Sequence, residues 1–377
     1  TAEAEALAAA ASVSFTTAGV AVASDSVWDG GTKAKAIAKG IDVGLGSDIV
    51  SNEGDINARA DATTASVAAS IAISGVAGAV ANAAGESFAT AIDTGAGVDA
   101  DDVTNSGKLT ATSNTTAVSA AIGFTTEGVA VAGNAAWDGG TRGTATATGI
   151  DVGGGADRVS NEGEIEVTSG AVSDSTAVSV AVAGVAGAVS TATAEANANA
   201  IDGGDGADEI TNDAAGELIS QADATAIGVN VTIAGEGVAV SADAVWEGGT
   251  TATATAKGID GGRGADGITN DAAIDATASS NAVSASVAIT GAGVSAATAT
   301  TSSTATAIAI DGGEDADLLR NSGSLTATSR AAGTGISVSA TGGGVALAAD
   351  AFWDGGTRAN AIATGIAAGA GDDRVAN

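Results

Sequence analysis

A two-residue element, Ile-Asp, recurs along this chain at intervals regular enough to dictate how it can fold. It stands at Ile41-Asp42, Ile92-Asp93, Ile150-Asp151, Ile201-Asp202, Ile259-Asp260 and Ile310-Asp311, with a degenerate copy at Ile366-Ala367. The intervals run 51, 58, 51, 58, 51 and 56 residues. A second element, Trp followed by an acid and Gly-Gly-Thr, starts at Trp28, Trp137, Trp246 and Trp353 and accompanies the longer intervals. Repeats of this kind take one shared local structure and bury a continuous core only by stacking. Residues 1–377 therefore read as one uninterrupted array, about 3.5 copies of a two-part repeat with halves of about 51 and 58 residues, and as a section of a longer chain or filament.

Comparing the copies with one another decides helix against strand. Before each long-interval Ile-Asp, Ala36, Ala145, Ala254 and Ala361 hold one position, and Ala38, Ala147, Ala256 and Ala363 hold the position two residues on. The residues between them vary: Ile37, Thr146, Thr255 and Ile362. A constant small residue alternating with a variable one describes a strand with an inner and an outer face. Each half then reads as strand, Gly-rich turn, short strand, Gly turn, and two longer strands joined at a Gly turn such as Gly184-Val185-Ala186-Gly187. The fold class expected is all-β, a parallel β-solenoid of the β-helix or β-roll kind. Because typical strands are short, the length of a half favours roughly two coils per half, with one wide, flattened coil as the alternative.

Composition sets the thickness of the core. Aromatic residues make up 2% of the chain and Pro, Cys, Met, Tyr and His are absent, while Gly numbers 56. The interior must be chiefly Ala, Val and Ile, so opposing sheets are expected to lie closer than the usual ~10 Å. Without Cys or His there is no disulfide, thiolate, imidazole or zinc-type ligand set. Asp and Glu total 45 against 13 Lys and Arg, a formal net charge of −32. Nucleic acid and anionic membrane are poor partners for such a chain and divalent cations are good ones. No apolar run is long enough to form a membrane span in this segment.

The acidic turn carries the chemistry. Gly follows two positions after the Ile-Asp aspartate in every copy, from Gly44 to Gly369, and a second aspartate is read six positions after the first. The candidate metal ligands are thus Asp42 with Asp48, Asp93 with Asp99, Asp151 with Asp157, Asp202 with Asp208, Asp260 with Asp266 and Asp311 with Asp317. Paired carboxylates at a glycine turn whose carbonyls can face inward suit Ca²⁺. Equivalent acids one coil apart, at ~4.8 Å, repel by about 3.5 kcal/mol at an effective dielectric of ~20. A column of them calls for counter-charge; the competing reading is a set of solvated Asp-Gly turns. Asn follows in every copy, at Asn52, Asn105, Asn161, Asn212, Asn270, Asn321 and Asn377, as an internal amide ladder or as a turn-stabilising residue. The four tryptophans pack at a corner of the solenoid or form an interface with sugar or with a neighbouring filament.

Gly203 to Thr211 and Gly261 to Thr269 resemble the glycine-rich G-G-x-G-x-D-x-(aliphatic)-x nonapeptide of RTX-type secreted bacterial proteins. The resemblance implies a parallel β-roll that binds Ca²⁺ and folds outside the cell; it covers about nine residues per half. Asp157 to Ile165 is similar to the D-x-V-x-N-x-G-x-I strands of autotransporter-like adhesin passengers. The expectation is a structural protein of the cell surface or extracellular space, a fibre, sheath, filament or adhesin stalk whose partner is itself, as homopolymer or neighbouring repeats. An adhesin passenger binding carbohydrate or a host surface is the alternative. A polysaccharide-acting enzyme is disfavoured, because catalysis needs one constellation of unlike groups and every acid pair here recurs. Ice binding through Thr144 to Thr148 and Thr251 to Thr255 is weaker, since the matching positions vary freely.

Overall fold

The computed structural model of the chain describes residues 1–24, 31–133, 140–242, 249–350 and 356–377. Among these there is no helix, and the strands are parallel and in register from coil to coil. The first coil consists of β1 (Ala2–Ser24), β2 (Thr32–Asp42) and β3 (Ile49–Asn52); the second consists of β4 (Ile56–Val80), β5 (Ala83–Asp93) and β6 (Asp102–Asn105). Every later coil repeats this long, middle and short set, and three sheets run the length of the stack.

One half of the repeat makes one coil. Ile41 pairs with Ile92, Ile92 with Ile150, Ile150 with Ile201, and so on to Ile366. The expectation of two coils per half is therefore corrected to the single wide, flattened coil. Strand length was the misleading guide, because long strands of 23 to 26 residues replace the ordinary five or six in the first six coils. The glycine turn placed between two longer strands is a bend within one continuous ladder. Gly184 has φ 127°, and a Cβ there would run into the carbonyl oxygen of Gly128 in the coil below, so only glycine fits. The bend folds each long strand back on itself, which brings Ala79 against Ala68 and Ala77 against Ala72.

The cross-section therefore has a wide end and a narrow end. At the wide end all three walls meet around Ile92, Val103 and Leu109 and their counterparts, and the largest fully buried side chains all belong to these three columns. Toward the bend only two layers remain, and apart from Asn230 the inner faces hold Ala, Ser, Thr and Gly. Ser169 Oγ donates to the Ala145 carbonyl and Ser173 Oγ to the Thr141 carbonyl, each at 2.8 Å, from the long strand of one coil to the middle strand of the coil before it. A serine could not reach the opposing backbone across an ordinary ~10 Å gap, so the two layers lie closer than that.

This thinness makes the narrow end intolerant of volume. Ala177 is fully buried there, while Val178 next to it points outward. Ala177→Leu is expected to destabilise the chain by about 1–3 kcal/mol and Val178→Leu by no more than about 0.5 kcal/mol, read from thermal or urea unfolding followed by circular dichroism.

Candidate functional site: two aspartate columns and an asparagine ladder

Each middle strand ends on the Ile-Asp aspartate, the chain turns through glycine, and a second aspartate leads into the short strand that carries Asn. The turn glycines are left-handed in all seven coils, Gly204 at φ 79° among them. The first aspartate closes the turn: Asp93 Oδ1 accepts the N–H of Gly95 at 2.8 Å and Asp151 Oδ1 that of Gly153 at 3.2 Å. This is the Asx geometry that makes Asp-x-Gly a turn signal.

The asparagines form a continuous ladder. Asn52 Nδ2 donates to Asn105 Oδ1 at 2.7 Å, and the same bond runs from Asn105 to Asn161, Asn161 to Asn212, Asn212 to Asn270, Asn270 to Asn321 and Asn321 to Asn377 at 2.6–2.9 Å. In several coils the amide also donates to the carbonyl two residues on, as Asn161 does to Gly163 at 2.8 Å. A primary amide supplies two donors and a double acceptor, so a stack of them leaves little unsatisfied.

Beside the ladder stands an inner aspartate column. The backbone N–H of Asp157 donates to Asp208 Oδ1 at 2.8 Å, that of Asp208 to Asp266 Oδ1 at 2.8 Å and that of Asp266 to Asp317 Oδ1 at 2.9 Å. In the second coil the column member is Asp101, which accepts from Asp48 N–H at 2.7 Å and whose own N–H donates to Asp157 Oδ1. Asp99, assigned to this place by the six-residue spacing, is exposed and outside the column. The turn after Asp93 is two residues longer than its counterparts, and the invariant distance is the four residues from this aspartate to the ladder Asn. That spacing, Asp48 to Asn52 and Asp157 to Asn161, was the signal in the sequence.

The other carboxylate oxygens of the inner column have no such partner. Oδ2 of Asp48, Asp157, Asp208, Asp266 and Asp317 is buried without a hydrogen bond. Each faces glycine rather than open space in three successive coils: a Cβ on Gly203, Gly261 or Gly312 would stand 3.1, 2.9 or 2.7 Å from Oδ2 of Asp208, Asp266 or Asp317. Desolvation pushes the carboxyl of Asp208 up to about 6 and that of Asp266 up to about 7, with the neighbouring column acids adding to the rise. Asp157 and Asp317 are raised for the same first reason.

The outer column, Asp42, Asp93, Asp151, Asp202, Asp260 and Asp311, is in register but unevenly neutralised. Lys39 Nζ sits between Asp42 and Asp93 at 3.0 and 2.7 Å, and Lys257 Nζ between Asp260 and Asp311 at 2.7 and 2.8 Å. In the two-coil unit between them, Thr148 occupies the lysine's position. Burial and the adjacent carboxylates of Asp202 and Asp93 push Asp151 up to about 6, and burial with the Asp260 charge raises Asp202. These lysines were overlooked in the sequence because their partners lie three residues along and one coil away.

The arrangement bears directly on Ca²⁺. Among the described residues no three acidic side chains converge on one point. The inner carboxylates, tied to N–H groups and closed over by glycine, do not fit the six to eight oxygens of a calcium site. In the outer column, where Lys39 and Lys257 place an ammonium, Asp151 and Asp202 present two carboxylates with none, and Asn199 Nδ2 donates to Asp202 Oδ2 at 3.2 Å. Trp28, Trp137, Trp246 and Trp353 lie outside the described residues. No family model, no curated protein and no solved structure matches the chain.

Two outcomes are expected. A carboxyl raised above its unfolded value of about 3.9 holds its proton more tightly in the folded chain. Its stabilising contribution is complete below pH ~4 and is lost as pH rises through ~6–7. The melting temperature is therefore expected to be higher at pH 5 than at pH 8, by on the order of 5 °C, and Asp266→Asn should flatten that dependence. Separately, Thr148→Lys should place an ammonium between Asp151 and Asp202 and stabilise the chain at pH 8 by about 1 kcal/mol, measured by thermal unfolding.

Proposed function

We propose that the chain is a structural protein of the cell surface or extracellular space, a β-solenoid segment of a fibre, sheath, filament or adhesin stalk. The observation that carries this reading is the sameness of the coils: the amide ladder passes through all seven, from Asn52 to Asn377, without a gap. The acids likewise recur in columns instead of gathering into one constellation of unlike groups, which is what catalysis requires. The outermost strands, β1 and its counterpart Leu325–Thr341, each have an unpaired ladder edge. Such an edge accepts a further coil in the same register, from the same chain or from another copy. The resemblances to RTX-type and autotransporter-like repeats support the extracellular placement.

Calcium enters this proposal in a narrower place than the turn motif alone implies. Asp151 and Asp202 would hold it, and it would supply the positive charge that lysine supplies in the adjoining units.

Electron microscopy and fibre diffraction of the purified chain test the reading. Filaments longer than one seven-coil stack, with a ~4.8 Å repeat along the axis, are the expected result; single short stacks at all concentrations would overturn it. Ca²⁺ is expected to raise the melting temperature of the wild type and EDTA to reverse this, with no such response in Thr148→Lys.

A further inference from the structure

The outer face of the long wall is divided along the strand direction. Near the wide end it is charged, with Glu3, Glu5, Arg59, Asp61, Glu164 and Glu166. Toward the bend it becomes apolar in every coil. One row across the stack runs Phe15, Ile71, Phe124, Val180, Ile233 and Ile289. The row two residues earlier runs from Val13 to Val338, with only Ala, Ile and Val in between, and the next from Ala11 to Ile336. These three rows contain no ionisable residue, in a chain with 13 basic and 45 acidic ones. Asp174 stands in the fourth row, at the margin. The side chains are open to solvent: Val13 is 77% exposed, and Ile122 in the third coil 44%. The middle wall's outer face does not share this character, being occupied largely by Thr with Lys, Glu and Asn.

We infer that this apolar face pairs two copies of the chain side by side, face to face. Seven strands at ~4.8 Å and four alternate rows along the strand give a patch of about 29 by 20 Å, or roughly 600 Å². Two such faces bury about 1,200 Å² together, above the ~1,000 Å² that a specific interface needs and at the low end of stable ones. An exposed patch of this size marks an association surface. Charge favours the occupant: on a chain of net charge −32, two copies meeting through these four rows bring together surfaces whose one ionisable side chain is Asp174 at the margin. Shape selects it too. The face is ribbed at the coil spacing, and a second copy carries ribs of the same spacing over the same length, so an isologous pairing repeats its contacts from coil to coil.

The inference deepens the fibre reading by naming its lateral partner, but the two can fail separately. Sedimentation equilibrium of the 377-residue chain, compared with the double variant Val178→Lys and Val231→Lys, reads pairing; filament width and length in electron microscopy read pairing and elongation apart. The wild type is expected to be dimeric at micromolar concentration and the variant to associate at least a hundredfold more weakly with an unchanged circular dichroism spectrum, since both side chains point outward. Filaments of single width in both would overturn lateral pairing and leave the fibre; paired short stacks would do the reverse. A folded wild-type monomer, a variant that pairs as the wild type does, or a monomer that binds phosphatidylcholine vesicles through this face would each overturn the inference.

Discussion

Parallel stacking in register sets every side chain against copies of itself at one coil spacing, and the chemistry of each column follows from how a residue behaves toward its own kind. An amide is both donor and acceptor, so the asparagine column satisfies itself by bonds of 2.6–2.9 Å. Isoleucine and alanine columns pack without electrostatic consequence. A carboxylate accepts only, and a column of carboxylates has neither an internal donor nor a neutral state at high pH. Two remedies are built in. The inner column takes a backbone N–H from the neighbouring coil, which fixes one oxygen of each acid and leaves the other buried. The outer column takes lysine, and where Thr148 interrupts that supply the carboxyls of Asp151 and Asp202 are raised.

The same constraint explains the scarcity of large side chains. A bulky residue repeated in every coil would need its full width along the whole stack, and only the wide end, with three walls, offers that room to Ile, Leu and Val. Beyond it the two layers are held apart by little more than Cβ atoms. Burying an alanine contributes far less than burying a leucine, so this region depends on its ladders of backbone hydrogen bonds and on hydroxyls such as Ser169 and Ser173 that tie one layer to the carbonyls of the other.

Much of this was legible in the residues because repeats carry their own comparison. The alternation at Ala36 and Ala38, the Ile-Asp intervals and the asparagine positions located strands, coil periods and the amide column. What escaped notice depends on relations across the stack. Strand length could not separate one wide coil from two narrow ones, since that depends on how the sheets close. Asp99 took the place of Asp101 because counting forward from the turn crosses a two-residue insertion, while counting back from Asn105 does not. Lys39 and Lys257 are not marked by local spacing alone, because half of each lysine's contacts lie one coil, or 54 residues, away.

Three departures of the array from its own pattern lie apart among the described residues. Thr148 is at the outer column, Asp174 is on the front of the long wall, and Asn230, fully buried with both amide atoms unpartnered, stands inside the narrow layer beside Ala177 and Ser286. These three exceptions lie on different faces of the stack. What an array of this kind can do is repeat one modest contact at fixed spacing. Once the first coil is engaged, each further contact forms at high effective concentration, so the strength of an interaction along the apolar face grows with the number of coils instead of with the quality of any one pocket.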